Sequence, residues 1–180
     1  MTNAPGSAPI GRSRSILRQF GYAEEDNIQP NSDRECRDSE QGWLDLQDIA
    51  TVEFTSEDPG FPIESAFNFE PELGWRAAEP GEQQVRIIFD HPTAIHRIQL
   101  HFIETTVERT QEFTLRWSSV RGGPMKKIVR QQWNFSPTGS THEVEDYHVA
   151  LEEVSALELA IKPDLSCEKA AAGLAMWRVA

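Results

Sequence analysis

The residues best suited to recognising a ligand fall in four polar segments that also carry aromatic rings or arginines. These segments are SEDPGFPIES, NFEPELGWRA, IETTVERTQE and WNFSPTGSTHE. Aromatic rings offer flat apolar faces and Arg offers a planar fork of donors, a combination that suits sugars, peptides or protein surfaces. The candidate ligand-binding residues are Asp58, Trp75, Arg76, Glu108, Arg109, Trp133 and Asn134.

Two of these candidates, Trp75 and Arg76, also have a structural interpretation. Trp75 shortly precedes an alternating apolar run, so it favours a place at the rim of the core over a ligand contact. Arg76 is expected to point outward or to pair with Glu79 or Glu82 across the following Pro-Gly turn. A binding role for this dipeptide is therefore the second interpretation.

The histidines do not predict a metal site. His91, His96 and His101 are spaced by five residues, which turns consecutive rings to opposite faces of a strand. His142 and His148 are similarly separated and are explained as polar strand positions. We expect neither a metal nor an organic cofactor.

Catalysis has no recognisable machinery in this sequence. An enzyme needs a nucleophile and a base, or a carboxylate pair, within hydrogen-bond reach. No nucleophile elbow, Gly-rich phosphate loop or His-Glu-x-x-His motif is present, and RGGP at 121–124 is typical of a hairpin turn. We therefore predict a non-catalytic binding protein.

The candidate residues must be positioned by strands, because apolar residues recur at every second position from Thr51 onward. Strict alternation turns one set of side chains to a core and the other to water, so Glu158 and Ala160 are expected on the wet side. Seven or eight such runs, divided by Pro, Gly and Asn turns, predict an all-β antiparallel sandwich or barrel. The clearest inward sets are Val52 and Phe54; Val85, Ile87 and Phe89; Ile98, Leu100 and Phe102; Phe113, Leu115 and Trp117; and Leu157, Leu159 and Ile161.

The amino-terminal 40 residues have a different composition. Gly, Pro, Ser, Asn and charged residues dominate residues 1–40, with too few apolar residues for a core, so we predict a flexible arm followed by one domain at 41–180. In the segment DSEQGWLDLQDIA, Asp38 is a candidate cap and the apolar residues gather on one side. This pattern predicts a short helix or turn that leads into the fold.

Charge and cysteine content limit the partners and the compartment. The net charge of -12 opposes binding to nucleic-acid phosphates, and no stretch has the roughly 20 apolar residues that a membrane span needs. The start MTNAPGSAPIGRSRS lacks the apolar centre of a secretory signal, and Cys36 and Cys167 show no metal-ligand spacing. We expect a cytoplasmic protein; the sequence does not indicate its oligomeric state.

The stretch ESAFNFEPELGWRAAEPGEQQVRIIFDHPTAIHRIQLHF resembles the first half of a discoidin domain, the galactose-binding-like jelly roll also known as the coagulation-factor type C domain. QEFTLRWSSVRGG, EVSALELAIKPD and GLAMWRVA are similar to its middle hairpin, late strand and closing strand. The resemblance implies a jelly-roll β-sandwich that binds carbohydrate through loops at one end. The matching positions are Ala66, Phe67, Asn68, Pro71, Trp75, Phe89, Asp90, Ile95, Ile98 and Leu100.

Two further comparisons within that fold refine the expectation. The family's frequent calcium site uses an Asp where this chain has Asn68 and a Glu where it has Met176, and losing both carboxylates argues against calcium. WRAAEPGE is similar to the amino-terminal domain of single-strand-break-repair scaffold proteins, a divergent member of the fold that binds a polymerase. The alternative to carbohydrate binding is therefore a cytoplasmic protein-protein interaction scaffold.

Overall fold

The computed structural model describes residues 12–15, 42–68, 74–167 and 169–180. These residues form nine strands and one short 3-10 helix, Ile63–Ala66. The strands are β1 Arg12–Ser15, β2 Ala50–Phe54, β3 Trp75–Pro80, β4 Gln83–Ile103, β5 Arg109–Ser118, β6 Lys126–Phe135, β7 His142–Lys162, β8 Ala171–Leu174 and β9 Met176–Val179.

All strand pairs are antiparallel. One sheet has the order β1-β2-β4-β7-β5-β6, with β9 also paired to β4, and β3 pairs separately with β8. The first half of β4 lies between β2 and the second half of β7, whereas its second half lies between β9 and the first half of β7. Because β4 and β7 change partners midway, they pass from one layer to the other, and the predicted jelly-roll sandwich is confirmed.

The bend of β4 explains why two predicted strands are one. The runs that contain Val85 and Ile98 were expected to be separate strands, but they are the two halves of a 21-residue strand. The register against β7 is irregular between Ile88 and Arg97, around Pro92, which has no N–H to donate to a ladder. Proline therefore marks the corner rather than the end of the strand.

The alternating apolar residues form the core, as the sequence predicts. Val52, Phe54, Val85 and Ile87 have no exposed surface, and they belong to one cluster that continues to the closing strand β9. At about 25 cal/mol per Å² of apolar surface removed from water, burial of such side chains is the main stabilising contribution to the sandwich.

The outward positions of β7 correct the sequence interpretation. Glu158 and Ala160 were expected to face water, but each is only 5% exposed. β7 is central between β4 and β5, and the Glu158 carboxylate accepts from Arg86 at 2.6 Å and from Arg116 at 2.8 Å. Long arginine side chains from the neighbouring strands cover this face, which alternation alone does not reveal.

The predicted leading helix is a single turn. Ala50 N donates to Leu46 O at 3.1 Å, whereas Leu44 N bonds to Val179 O at 2.8 Å and so holds the preceding residues against β9. Pairing with a strand excludes helical bonding at Leu44. Residues 38–41 lie outside the described residues.

Part of the predicted arm is paired with the sheet. Arg12–Ser15 runs antiparallel to β2, with Arg12 opposite Phe54. The rest of residues 1–40, including Cys36, lies outside the described residues, so the division of the chain at residue 40 stays a prediction. Among the described residues, no helix is long and apolar enough to cross a bilayer.

Candidate ligand-binding site

A cleft of about 550 Å³ opens between the β3–β8 pair and the loops that follow β4 and β7. Gly74 to Arg76 form one wall, and the loop at 104–107 also lines the cleft. The side chains that give the cleft its chemistry are Phe61, Arg76, Glu104, Val107, Arg109, Asp164 and Lys169.

The wall formed by β3 depends on a glycine and a buried tryptophan. Gly74 has φ 44°, and an added Cβ would lie 2.9 Å from Ala175 Cα and Leu174 O, so a side chain here would collide with backbone. Trp75 is 2% exposed, and its Nε1 donates to Ser56 O at 3.2 Å. The Trp75 ring therefore anchors the wall from inside.

Arg76 follows on the opposite face of β3 and is exposed. Its guanidinium carbon lies 4.6 Å from the centroid of the Phe61 ring, a cation–π contact. Arg76 thus points outward, one of its two expected arrangements, and the alternative ion pair with Glu79 or Glu82 does not form. Backbone hydrogen bonds join Arg76 to Asp58 and Phe61 and hold the preceding loop against β3. This docking brings the Phe61 ring to the Arg76 guanidinium.

Arg109 is the buried cation of the cleft. Its side chain is 7% exposed, pairs with Glu104 at 3.0 Å and donates to Ala171 O at 2.9 Å. Burial lowers the pKa of Arg109, the charge of Arg76 lowers it further, and Glu104 and Asp164 oppose both effects. Its buried Nε has no hydrogen-bond partner among the described residues.

Both carboxylates of the cleft are held ionised by local donors. Burial alone would raise the pKa of Glu104, but bonds from Thr106 and Val107 and the charge of Arg109 bring that pKa below its usual value. The backbone N–H of Ser166 is the main cause of the lowered pKa of Asp164. The loops at 104–107 and 164–166 are therefore ordered by their own acidic residues.

The structure brings three of the predicted site residues together and places four elsewhere. Trp75, Arg76 and Arg109 border the cleft, whereas Asp58 caps its own turn by accepting from Gly60 N at 2.9 Å. Glu108 is exposed and does not line the cleft. Trp133 and Asn134 lie on β6, where Asn134 accepts from the Thr110 hydroxyl at 2.7 Å.

Sequence reasoning missed Phe61, Glu104, Val107, Asp164 and Lys169. Phe61 lies in one of the four polar segments and is their first aromatic residue, so its signal was present in the sequence. Asp164 and Lys169 carry no local signal, because only the return of the chain after β7 brings them to the cleft.

A second polar cluster lies away from the cleft on β7. Glu143 and Glu145 are 8% and 9% exposed, and Tyr147 donates to Glu145 at 2.7 Å. Burial is the main cause that raises the pKa of Glu143 to about 8, and the neighbouring carboxylate of Glu145 adds to it. At neutral pH the two carboxyl groups therefore retain one proton between them.

A histidine pair was also missed. Nε2 of His101 lies 3.1 Å from Nδ1 of His142, and the rings stack with centroids 5.4 Å apart. Burial and the His142 charge lower the pKa of His101. In the part of the chain that the structure describes, no group of three or more metal-ligating side chains converges.

Comparison with known proteins reveals similarity of fold. No family model and no curated protein matches the sequence. The Clostridium perfringens module CpGH89CBM32-5, in complex with GalNAc-β-1,3-galactose, matches with TM-score 0.59 and 14% identity over 77% of this chain and 99% of that chain. The family 32 carbohydrate-binding module of C. perfringens NanJ, in complex with galactose, matches with TM-score 0.58 and 12% identity over 76% and 96%. The CBM32 of AlyQ, in complex with 4,5-unsaturated mannuronic acid, matches with TM-score 0.57 and 12% identity over 77% of this chain and 97% of that chain. The described strands thus share the galactose-binding-like sandwich of these carbohydrate-binding modules.

Proposed function

We propose that this protein is a non-catalytic carbohydrate-binding module that holds a saccharide in the cleft beside Arg76. The observation that carries the proposal is a cleft of about 550 Å³, a size typical of small-ligand sites, on a sandwich whose structural neighbours are complexed with sugars. The lining comes from β3 and from the loop at 104–107, so a ligand has more than one segment to contact.

The chemistry of the lining suits a sugar. Arg76 presents exposed N–H donors for hydroxyl groups, and its stacking on Phe61 limits its motion before a ligand arrives. Val107, 53% exposed on the facing loop, offers an apolar surface to the C–H groups of a sugar ring. Thr105 and Thr106 add hydroxyl groups on the same loop.

Substitution of Arg76 tests this proposal. Arg76→Ala removes donors and the Phe61 contact, so we expect at least tenfold weaker binding of the saccharides found by glycan-array screening, measured by isothermal titration calorimetry. Arg121→Ala removes the same charge from an exposed turn outside the cleft and is expected to bind normally. Absence of any saccharide binding at millimolar concentration would reject the proposal.

A cytoplasmic protein-interaction scaffold is the second candidate. Its support is the similarity of the WRAAEPGE segment to a protein-binding member of the same fold. Pull-down from native lysate, with and without residues 1–40, tests it. Failure of both forms to retain a stoichiometric partner counts against this role.

A further inference from the structure

The outer face of the sheet carries a second groove, of about 300 Å³, across β5, β6 and β7. Its floor consists of Thr114 and Ala160, which are paired neighbours on β5 and β7. Their short side chains leave space between longer ones. The surrounding charged side chains are Arg116, Lys127, Arg130, Lys162, Glu82 and Glu112.

We infer that this groove binds the carboxylate of an acidic saccharide, such as a uronic acid residue, as a site separate from the cleft. The inference rests on the proposed function for the saccharide nature of the ligand. The preference for an acidic group follows from the charges around the groove.

A β-bulge brings two cations side by side. Leu115 pairs with Val129, and regular pairing would then place Ile128 opposite Arg116. The register shifts at this point, and Lys127 lies opposite Arg116 instead. Directly opposed like charges destabilise a sheet, and bulges commonly serve to re-aim a side chain. An anion in the groove would relieve this repulsion.

The acidic residues beside the groove are mostly already engaged. Glu158 is shared between Arg86 and Arg116, and Glu112 accepts from Arg130 at 2.9 Å and Gln132 at 2.7 Å.

Among the described residues, Lys127 and Lys162 form no direct ion pair, although the charge of Lys162 helps to lower the pKa of Glu112. Four cations and two carboxylates therefore line the groove, although the chain as a whole has a net charge of -12. A local positive groove on an acidic protein favours one anionic group, since the long-range field opposes a polyanion.

The ligand test compares trigalacturonate with its methyl ester, which has the same sugar rings without the charges. We expect trigalacturonate to bind at least tenfold more tightly in calorimetry at 50 mM salt, and this preference to shrink at 500 mM salt because exposed charges are screened. Equal affinity for both would overturn the inference. If Arg76-dependent binding of neutral sugars persisted in that case, the proposed function would stand.

Lysine variants locate the site. Lys127→Gln and Lys162→Gln are each expected to weaken trigalacturonate binding about three- to tenfold, the effect of losing one charge-assisted contact near the surface. Lys126→Gln is the matched control, because Lys126 is the preceding residue and lies over the Trp117 ring, 4.9 Å from its centroid. Equal losses in all three variants, or none, would overturn the location.

Two further ligands separate the alternatives. Inorganic sulfate that competes as strongly as trigalacturonate would show a site for simple anions and would contradict the saccharide inference. Binding of trigalacturonate that depends on Lys127 but not on Arg76 would support a groove separate from the cleft, and binding that depends on Arg76 but not on Lys127 would overturn it. Tighter binding of polyglutamate than of trigalacturonate would point to an acidic protein partner instead.

Discussion

At the scale of single residues, Glu143 has a pKa well above the ordinary value of a glutamate. Its pKa of about 8 lies above the ordinary value of 4.5, because burial and the adjacent Glu145 disfavour its charge. The folded state therefore binds more protons than the unfolded state between these two values. Stability is highest below this range and falls as pH rises through it.

Replacement of Glu143 tests this linkage. Gln keeps a donor toward Glu145 but cannot ionise, so Glu143→Gln is expected to raise the free energy of unfolding at pH 9 by roughly 1–3 kcal/mol, with little change at pH 5. Urea unfolding at both pH values measures it. Glu153→Gln, an exposed change of the same charge on β7, should show no such difference. Equal destabilisation by Glu143→Gln at both pH values would contradict the shared proton.

At the scale of elements, the alignment of β3 with β8 depends on the backbone of Gly74. An Ala there has φ 44° and a Cβ 2.9 Å from the backbone of Leu174 and Ala175, so both strain and collision oppose it. We expect Gly74→Ala to cost about 2 kcal/mol in urea unfolding. It should also weaken saccharide binding, because Arg76 is two residues away.

A matched glycine separates strain from simple loss of flexibility. Gly139 lies in an exposed turn, and an added Cβ meets no atom within 4 Å. Gly139→Ala should therefore change stability by less than about 0.5 kcal/mol. Similar costs for both substitutions would show that the close approach at Gly74 is not the cause.

The elements also show what sequence patterns reveal. Alternation identified the inward residues of β4 and the burial of Trp75, because a period of two is a local property of the chain. It could not identify the buried Glu158, whose burial depends on arginines from two neighbouring strands. Lys127 reaches its groove through a bulge, and no local signal predicts a register shift.

At the scale of the whole molecule, the candidate cleft was predictable in part. Arg76 and Arg109 were recognised because arginines in polar segments between strands are typical of binding loops. Lys169 lies 60 residues after Arg109 and 93 residues after Arg76 in the sequence, so only the closed fold brings these cations to one cleft.

The molecule as a whole also has an acid limit of stability. Four carboxylates have lowered pKa values for different reasons: the Arg97 side chain bonds Asp146, the Ser166 backbone bonds Asp164, and local donors and cations outweigh burial at Glu104 and Glu112. Each of these groups stabilises the folded state above the pKa that it has in the unfolded chain, 3.8 for Asp and 4.5 for Glu. This stabilisation is lost as the pH falls through the lower pKa of the folded state. The lowered pKa of His101 likewise makes the free energy of unfolding fall as the pH drops below 6.5.

These opposing titrations predict a stability maximum between about pH 4.5 and 6.5. Of the six groups discussed, only Glu143 loses its proton in the folded state above pH 6.5, so the free energy of unfolding falls toward pH 8. Below 4.5 the four carboxylates take up protons on unfolding, so it falls again. Urea unfolding at half-unit steps from pH 3 to 9 measures both slopes. Asp146→Asn should flatten the acid limb alone and Glu143→Gln the alkaline limb alone, and a curve that rises steadily from pH 3 to 9 would refute the proton assignments.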